Sequence, residues 1–405
     1  MIFLPTKQYQ AIHISVYFVS KIESDAFLYR FLLARILTSY TETYMSKQLL
    51  SKKLNALYGM FITNHVFVLK DYHIMRFNFV FPNPSLISDD AMLDDIVQII
   101  KEMFFNRKPF QASVFEEAKR YTINEIQSKK DHKFAYAKEQ LIKYIYLNHP
   151  YGKSITGTLE EALDVSLTET YDYYLNYFLN DTIKFYVSGD IHQELKDKLS
   201  VLKSYERENV IEPLEFNHVH KTIQNYTETL PMGQAYIFFA YHLNVDRKDP
   251  LYTAALIVNM LIGGYPESML YKLLRETYYL AYDVDSKFEY DKSYLIIYAG
   301  VNIESKDLAY NIIVETINNF MFDGPVSDQL KEAKDYLRNE IYSSLDFQDS
   351  MIPRQFSADL FGYEETLDEI MKKIDAVSNE DIMKVLTMMT LTTTYTLSGG
   401  EDYEV

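Results

Sequence analysis

Residues 251–276, LYTAALIVNMLIGGYPESMLYKLLRE, carry the pattern around which the chain is organised. An apolar helix is expected over Leu251–Ile262. The Gly-Gly-X-Pro turn that follows must end it, because proline cannot continue a helix and glycine favours turns. A second helix is expected from about Glu267, with apolar residues at helical spacing, and Tyr282 stands at the start of a predicted strand. Taken by itself, this second helix is most simply a core helix with a surface arginine, Arg275.

The same order of elements occurs twice in the sequence. A strand at Ala11–Ser20 begins it, helices and two further strands follow, and a strand at Ile183–Val187 closes it. The order starts again at Ala235–Tyr241. Short segments match at an offset of about 210 to 222 residues: Leu32-Leu33-Ala34 with Ala254-Ala255-Leu256, Glu117-Ala118-Lys119 with Glu332-Ala333-Lys334, Asp164-Val165-Ser166 with Ala376-Val377-Ser378, and Val187-Ser188-Gly189 with Thr396-Leu397-Ser398.

This repeat predicts an α+β protein made by tandem duplication of one unit. Each unit is expected to hold an antiparallel or mixed sheet packed with helices. We place the N-terminal domain at residues 1–204 and the C-terminal domain at residues 232–405. Residues 205–231 are polar and irregular, and we predict that they form the linker between the domains.

Composition excludes several classes of site. A chain of 405 residues is longer than one core usually fills, and 48% of its residues are apolar, so two globular domains are expected. The sequence contains no cysteine, which excludes disulfides, thiolate metal sites and cysteine nucleophiles. A reducing compartment is therefore permitted.

The net charge and the hydropathy pattern limit the kinds of partner and the cellular location that are expected. The net charge is −17, and no Lys/Arg cluster is interleaved with aromatic residues, so a nucleic-acid partner is not expected. The N-terminal residues lack the basic and apolar regions of a signal peptide. No window reaches the roughly 18 apolar residues of a membrane helix. We expect a soluble, cytoplasmic protein.

Several short segments resemble the insulinase (M16) family of zinc peptidases. The similarity extends over essentially the whole chain, since the duplication is itself a family trait. It is strongest to the M16B-type small-subunit branch, and within that to a Gram-positive group found alongside a metal-site-bearing relative. It implies the half-barrel type of unit, a LuxS/metalloenzyme-like fold. The segments are NHPYG (148–152), GTLEE (157–161), 174–178, VSGDI (187–191), and LLRE (273–276) with LAY (280–282).

The resemblance implies a zinc site that this chain has lost. The family binds zinc through an H-x-x-E-H sequence on an early helix and a Glu from a later helix. The segment TETYMSKQL (41–49) resembles the family's sequence just after the zinc motif. With this segment aligned, the five motif positions fall on FLLAR (31–35). Phe31 and Arg35 replace the two histidines, Ala34 replaces the water-activating Glu, and Gln127 stands for the later Glu. These four side chains cannot hold zinc. We therefore expect no metal or other cofactor in this chain. Zinc is expected only on a partner subunit.

A pair of histidines in the predicted linker offers no clear replacement for the lost zinc ligands. In an extended segment His218 and His220 would lie on one face, but linker histidines are usually solvated.

The resemblance also implies a substrate-binding role for Arg275 and Tyr282, which keep the Arg-x6-Tyr spacing of the family. A guanidinium and a phenol can both donate hydrogen bonds to peptide carbonyl oxygens and to a developing oxyanion. The alternative is a structural salt bridge and a core tyrosine. Gly263, Gly264 and Ser268 either line the approach to this pair or form a simple helix-breaking turn.

Three functional hypotheses follow from the sequence. In the first, the chain is the inactive subunit of a heterodimeric M16B-type peptidase, forms half of an acidic chamber, and presents Arg275 and Tyr282 to a peptide at the partner's zinc. In the second, it is a non-hydrolytic peptide-binding or scaffold homodimer with a link to modification of a translation elongation factor. In the third, it is an active metallopeptidase that uses an unrecognised site.

Overall fold

A computed structural model of the chain describes residues 1–23, 25–87, 89, 91–105, 108–147, 149–211 and 222–400. Within these residues the chain forms two five-stranded mixed sheets, each packed with helices, so the α+β prediction is confirmed. His218 and His220 lie outside the described residues.

The two sheets have the same topology, as a duplicated unit requires. The first has the strand order β1-β5-β2-β4-β3 and the second β6-β10-β7-β9-β8. In each sheet the first strand pairs in parallel with the last, and the other pairs are antiparallel. The strands are β1 Ile2–Pro5, β2 Ala11–Lys21, β3 Phe61–Leu69, β4 Tyr72–Pro82, β5 Thr182–Gly189, β6 Gln224–Thr229, β7 Gln234–His242, β8 Ala281–Glu289, β9 Tyr294–Asn302 and β10 Thr390–Ser398.

Helices cover both sheets, and one of them changes its winding. Lys272–Thr277 is a π-helix that continues directly from α10. The α-helices are α1 Phe27–Leu37, α2 Lys47–Ala56, α3 Met92–Phe104, α4 Ala112–Ser128, α5 Lys133–Ile145, α6 Leu159–Asp164, α7 Leu167–Asn176, α8 Gln193–Leu199, α9 Tyr252–Ile262, α10 Met269–Tyr271, α11 Lys306–Asp323, α12 Ser327–Ser344, α13 Gln348–Phe361, α14 Leu367–Ala376 and α15 Asn379–Met388. Among the described residues, no helix is both long and apolar enough to cross a membrane.

Strand β6 lies inside the range predicted as a linker. Its residues alternate between half-buried and exposed positions, and five of the six are polar. A polar edge strand gives little apolar periodicity, which explains why the sequence pattern did not indicate it.

Each compact unit takes one helix from the other half of the sequence. The first unit comprises Met1–Ser128, Lys153–Glu215 and Leu345–Gly362, and the second comprises Lys129–Gly152, Phe216–Ser344 and Tyr363–Val405. Helix α13 therefore packs on the first sheet, where Phe356 stacks on Tyr17 of β2 at 3.8 Å between ring centroids. Helix α5 packs on the second sheet, against β7 and β10.

Partly buried polar contacts attach helix α5 to the second sheet. Lys138 Nζ donates to Glu289 Oε1 at 2.8 Å, and Lys292 Nζ donates to the other oxygen of the same carboxylate at 2.9 Å. Tyr136 donates from its hydroxyl to Glu228 at 2.8 Å. Burial acts to raise the pKa of Glu289, but the two ammonium groups outweigh it and lower this pKa to about 2.

We expect acid to weaken the attachment of α5. The pKa of Glu289 is lower in the folded protein than in the unfolded chain, where it is about 4.3. Its contribution is therefore fully present above the unfolded value and is lost as the pH falls from about 4.3 towards 2, up to about 3 kcal/mol of unfolding free energy. Chemical denaturation at several pH values should show this loss for the natural chain and a smaller one for Glu289→Gln. Equal slopes for both proteins would contradict the assignment.

Candidate functional site

The segment that carries Arg275 and Tyr282 is irregular at three successive points. Residues Lys272–Thr277 are π-helical. Tyr279 has φ +54, a left-handed conformation that is rare for a bulky side chain. The register between β8 and β9 shifts between Ala281 and Asp283, which leaves Tyr282 as the extra residue of a β-bulge. π-Turns and bulges concentrate at functional sites, where a bulge redirects a side chain.

The equivalent segment of the first unit is regular. Helix α2 is an ordinary α-helix, and β3 pairs with β4 in one continuous register from Phe61 to Leu69. A left-handed turn is present there too, at Tyr58 and Gly59. The scaffold is thus shared by both units, whereas the π-helix and the bulge belong to the second unit.

The Tyr282 ring packs against a glycine of the neighbouring strand. A Cβ atom placed on Gly300 would be 3.0 Å from Tyr282 Cε2 and 3.2 Å from Tyr236 Cε1, so only glycine lets both rings approach β9 this closely. The Tyr282 hydroxyl donates to the Val301 carbonyl oxygen at 3.1 Å, and 40% of the residue is exposed. Burial first, and then Tyr236 and Asp283, raise the pKa of Tyr282, so the phenol is a neutral donor.

Arg275 extends from the π-helix into solvent. Its guanidinium carbon lies 5.0 Å from the centroid of the Tyr271 ring. It forms no ion pair with any residue that the structure describes, whereas Lys272 of the same helix pairs with Glu267 at 2.8 Å. The charge of Arg275 is therefore available to a ligand.

The turn before this helix is explained by close packing. A Cβ atom on Gly263 would be 2.9 Å from the backbone nitrogen of Ser286 in β8, and one on Gly264 would be 2.7 Å from Asn259 Nδ2. Ser286 donates from its hydroxyl to the Asn259 carbonyl oxygen at 2.8 Å, and Ser268 is buried. These contacts account for both glycines, and a role of Gly263, Gly264 and Ser268 in substrate approach stays a prediction.

The first unit contains a cavity of about 570 Å³ at the positions predicted for the lost zinc site. Helices α1 and α4 and strand β3 form its walls. Its lining residues include Phe31, Ala34, Arg35, His65, Glu117, Tyr121 and Glu125.

A positively charged side chain, Arg35, lines this cavity. The Arg35 guanidinium pairs with the Glu125 carboxylate and lies 5.0 Å from the Phe31 ring and 5.9 Å from the Tyr121 ring. Gln127, which is predicted to stand for the later Glu, is exposed, and Glu125 of the same helix pairs with Arg35. Two residues along a helix turn a side chain by about 200°, so Glu125 and Gln127 face opposite ways.

No group of three or more His, Asp or Glu residues that could hold a metal ion occurs in the described part of the chain.

Comparisons with known proteins find similarity to M16 peptidases. The family profile described as Peptidase M16 inactive domain matches residues 164–337. The chain is 24% identical over 406 residues to the probable inactive metalloprotease YmfF of Bacillus subtilis (strain 168), which covers 98% of this chain and 95% of YmfF. The chain is similar to M16 peptidases.

Two further similar proteins carry different descriptions. The uncharacterized zinc protease YmxG of Bacillus subtilis (strain 168) is 26% identical over 291 residues, which cover 71% of this chain and 70% of YmxG. A conserved protein from Enterococcus faecalis V583 has the same fold, with a TM-score of 0.90, 22% identity, and coverage of 99% of this chain and 96% of the other. The similarity to YmfF and the inactive-domain profile support a relationship between this chain and inactive M16 proteins.

Two residues of the candidate sites were not predicted from the sequence. Gly300 is a lone glycine in a strand pattern, which is a recognised sign of a close backbone approach, and this signal could have been used. Glu125, which pairs with Arg35, lies two positions from Gln127 on α4, and its contact depends on the rotation of α4 relative to α1. The bulge at Tyr282 has no clear signal in a single sequence.

Proposed function

We propose that this chain is the catalytically silent subunit of a heterodimeric M16 peptidase. In this assembly Arg275 and Tyr282 contact a peptide that is bound at a zinc ion on the partner subunit. The proposal is supported chiefly by one observation, the π-helix, left-handed residue and bulge that together present Arg275 and Tyr282 in the second unit but not at the equivalent place in the first. A metal role within this chain is disfavoured, because Arg35 brings its own positive charge to the predicted zinc position.

The chemistry required of the pair is hydrogen-bond donation. Attack of zinc-bound water on a peptide carbonyl places negative charge on its oxygen, and donors aimed at that oxygen stabilise the transition state. Arg275 supplies a charged donor. Tyr282 now donates to the neutral Val301 carbonyl, and exchange of this acceptor for an oxyanion gives a stronger, charge-assisted hydrogen bond.

A second candidate function is peptide binding without hydrolysis, in a homodimer. The cavity of the first unit favours it, because β3 is an edge strand of its sheet and its residues Asn64, His65 and Val66 line the cavity. An extended peptide could add to this edge and place a side chain in the cavity. Among the described residues, no group of three or more His, Asp or Glu there could hold a metal ion for hydrolysis.

Size-exclusion chromatography with a zinc-motif relative encoded by the same cell, followed by metal and peptidase assays, tests the choice. We expect a mixed dimer that contains zinc and turns over peptides, while the chain alone binds no stoichiometric zinc. Elution of the two proteins as separate homodimers would favour the second function. Stoichiometric zinc and turnover in the isolated chain would overturn both.

A further inference from the structure

A chain of hydrogen bonds crosses three strands of the first sheet and ends at its edge. Ser15 of β2 donates from its hydroxyl to Asn78 Oδ1 of β4 at 2.7 Å, and Asn78 Nδ2 donates to Thr63 Oγ1 of β3 at 3.2 Å. Both bonds run towards β3, which is the last strand of its sheet. Thr63 is exposed, and its own hydroxyl donates to no group of the described residues. The chain therefore ends on a hydrogen-bond donor at the sheet edge.

Arg76 lies beside this chain of hydrogen bonds, on the same face of β4. In the strand register it stands between Tyr17 of β2 and His65 of β3. It is half-buried, it forms no ion pair with any residue that the structure describes, and its Nε is buried without an acceptor. Lys184, on the other side of Tyr17, differs from Arg76 because it pairs with Glu208 at 3.3 Å.

The two neighbours of Arg76 do not neutralise its charge. Burial raises the pKa of Tyr17 to about 12, although Arg76 acts against this through its charge and through hydrogen bonding, so Tyr17 stays a neutral phenol. Burial, and after it the charge of Arg76, lower the pKa of His65, so the imidazole is neutral at pH 7. A half-buried guanidinium between two neutral groups is incompletely compensated for the water that it has lost.

The donors of Thr63 and Arg76 select for an anion. A carboxylate has two oxygens with several lone pairs, so it can accept from a guanidinium and from a hydroxyl at the same time. A cationic ligand would be repelled by Arg76. An apolar side chain would bury Arg76 further without giving it an acceptor, which costs free energy. A carboxylate is therefore the group that this face fits best.

An extended peptide at the β3 edge would bring such a group within reach. Neighbouring strands lie about 4.8 Å apart, so the added backbone would lie about 10 Å from Arg76 Cα and directly beside Thr63. An arginine and a glutamate side chain can together span this distance. Because successive side chains of a strand point to opposite faces, a residue in the cavity beside Asn64 and Val66 puts the next residue on the polar face.

We propose that Arg76 and Thr63 form a subsite for the carboxylate of a glutamate or aspartate side chain in a bound peptide. The inference rests on the proposed addition of a peptide to the β3 edge, and it specifies that peptide as one with an acidic residue next to the residue in the cavity. Ser15 and Asn78 are positioning residues, because their hydrogen bonds orient the Thr63 hydroxyl.

Fluorescence anisotropy with the full chain and three labelled peptides tests the subsite. The first is an acetylated and amidated Val-Thr peptide with one central glutamate, and the second has glutamine there, which keeps the shape but not the charge. The third has glutamine and a free C-terminal carboxylate. We expect the glutamate peptide to bind about threefold to thirtyfold more tightly than the second, between the values for an exposed ion pair and a buried charged hydrogen bond. Added salt should reduce this preference.

Variants assign the preference to the named residues. Arg76→Gln should remove most of it, whereas Arg76→Lys should keep part of it, since an ammonium keeps the charge but not the two parallel donors. Thr63→Val loses the hydroxyl at nearly constant shape and should reduce the preference about twofold to tenfold. Arg120→Gln is the matched control, because Arg120 is an exposed arginine on α4, which packs on the opposite face of this sheet. It should leave the preference unchanged.

The subsite and the proposed functions fail in different ways. Equal binding of the glutamate and glutamine peptides, or a preference unchanged in Arg76→Gln, would overturn the subsite. Tighter binding of the third peptide than of the first would overturn the side-chain assignment and give Arg76 to a peptide C-terminus. Binding of the glutamine peptide would still support peptide addition to β3 in the first case, and a zinc-containing mixed dimer that turns over peptides would leave the leading function intact.

Discussion

Replacement of Arg275 by alanine is expected to lower peptide turnover by the mixed dimer by about tenfold to a thousandfold, the range typical of the loss of an oxyanion donor. The guanidinium is exposed, its charge is unpaired within the described residues, and its contact is the Tyr271 ring. The substitution therefore removes a donor from the site without disturbing a buried contact, so stability and dimer formation should change little.

Tyr282→Phe is expected to lower turnover within the same range while the ring stays in place on Gly300. The measurements are kcat and KM for a peptide substrate, since a donor that acts only in the transition state affects kcat more than KM. Lys272→Ala is the matched control, because Lys272 is a cation on the same π-helix but is paired with Glu267. Normal kcat values in both Arg275→Ala and Tyr282→Phe would show that the pair is merely structural.

The duplication could be predicted because it depends on patterns that single sequences express strongly. Alternating apolar residues in β2 and β7 form the inner faces of the two sheets, and they repeat with the helices that follow. Matching topology in the two sheets confirms the prediction. The exchanged helices α5 and α13 could not be predicted in the same way, because an amphipathic helix shows that one face is buried but not which sheet buries it.

The candidate site, too, could be predicted from the sequence only in part. The identities of Arg275 and Tyr282 are visible in the sequence through the family resemblance, but the bulge that aims Tyr282 depends on the register of β8 against β9. Register is a tertiary property, since one extra residue changes which side chains face each way without altering composition. The pairing of Arg35 with Glu125 likewise depends on how α1 and α4 face each other.

Arg30→Met is expected to lower the free energy of unfolding by about 3–5 kcal/mol, the usual cost of removing one partner of a buried ion pair. Arg30 of α1 is fully buried, and its Nη1 donates to Asp181 Oδ2 at 2.7 Å. Its Nη2 donates to the carbonyl oxygens of Phe18 in β2 at 3.0 Å and of His73 in β4 at 3.2 Å. The variant leaves a buried carboxylate and two carbonyl groups without this donor.

Chemical denaturation at pH 7 measures the effect, and the same helix provides its control. Arg35→Met also removes an arginine from an ion pair, but both partners are at least a third exposed, so a loss of at most about 1 kcal/mol is expected. The double variant Arg30→Met/Asp181→Leu should be less destabilised than Arg30→Met alone, because no unpaired charge stays buried. If the double variant were instead less stable by the sum of both single losses, Arg30 would contribute through packing, and the buried charge would not be the reason for its large effect.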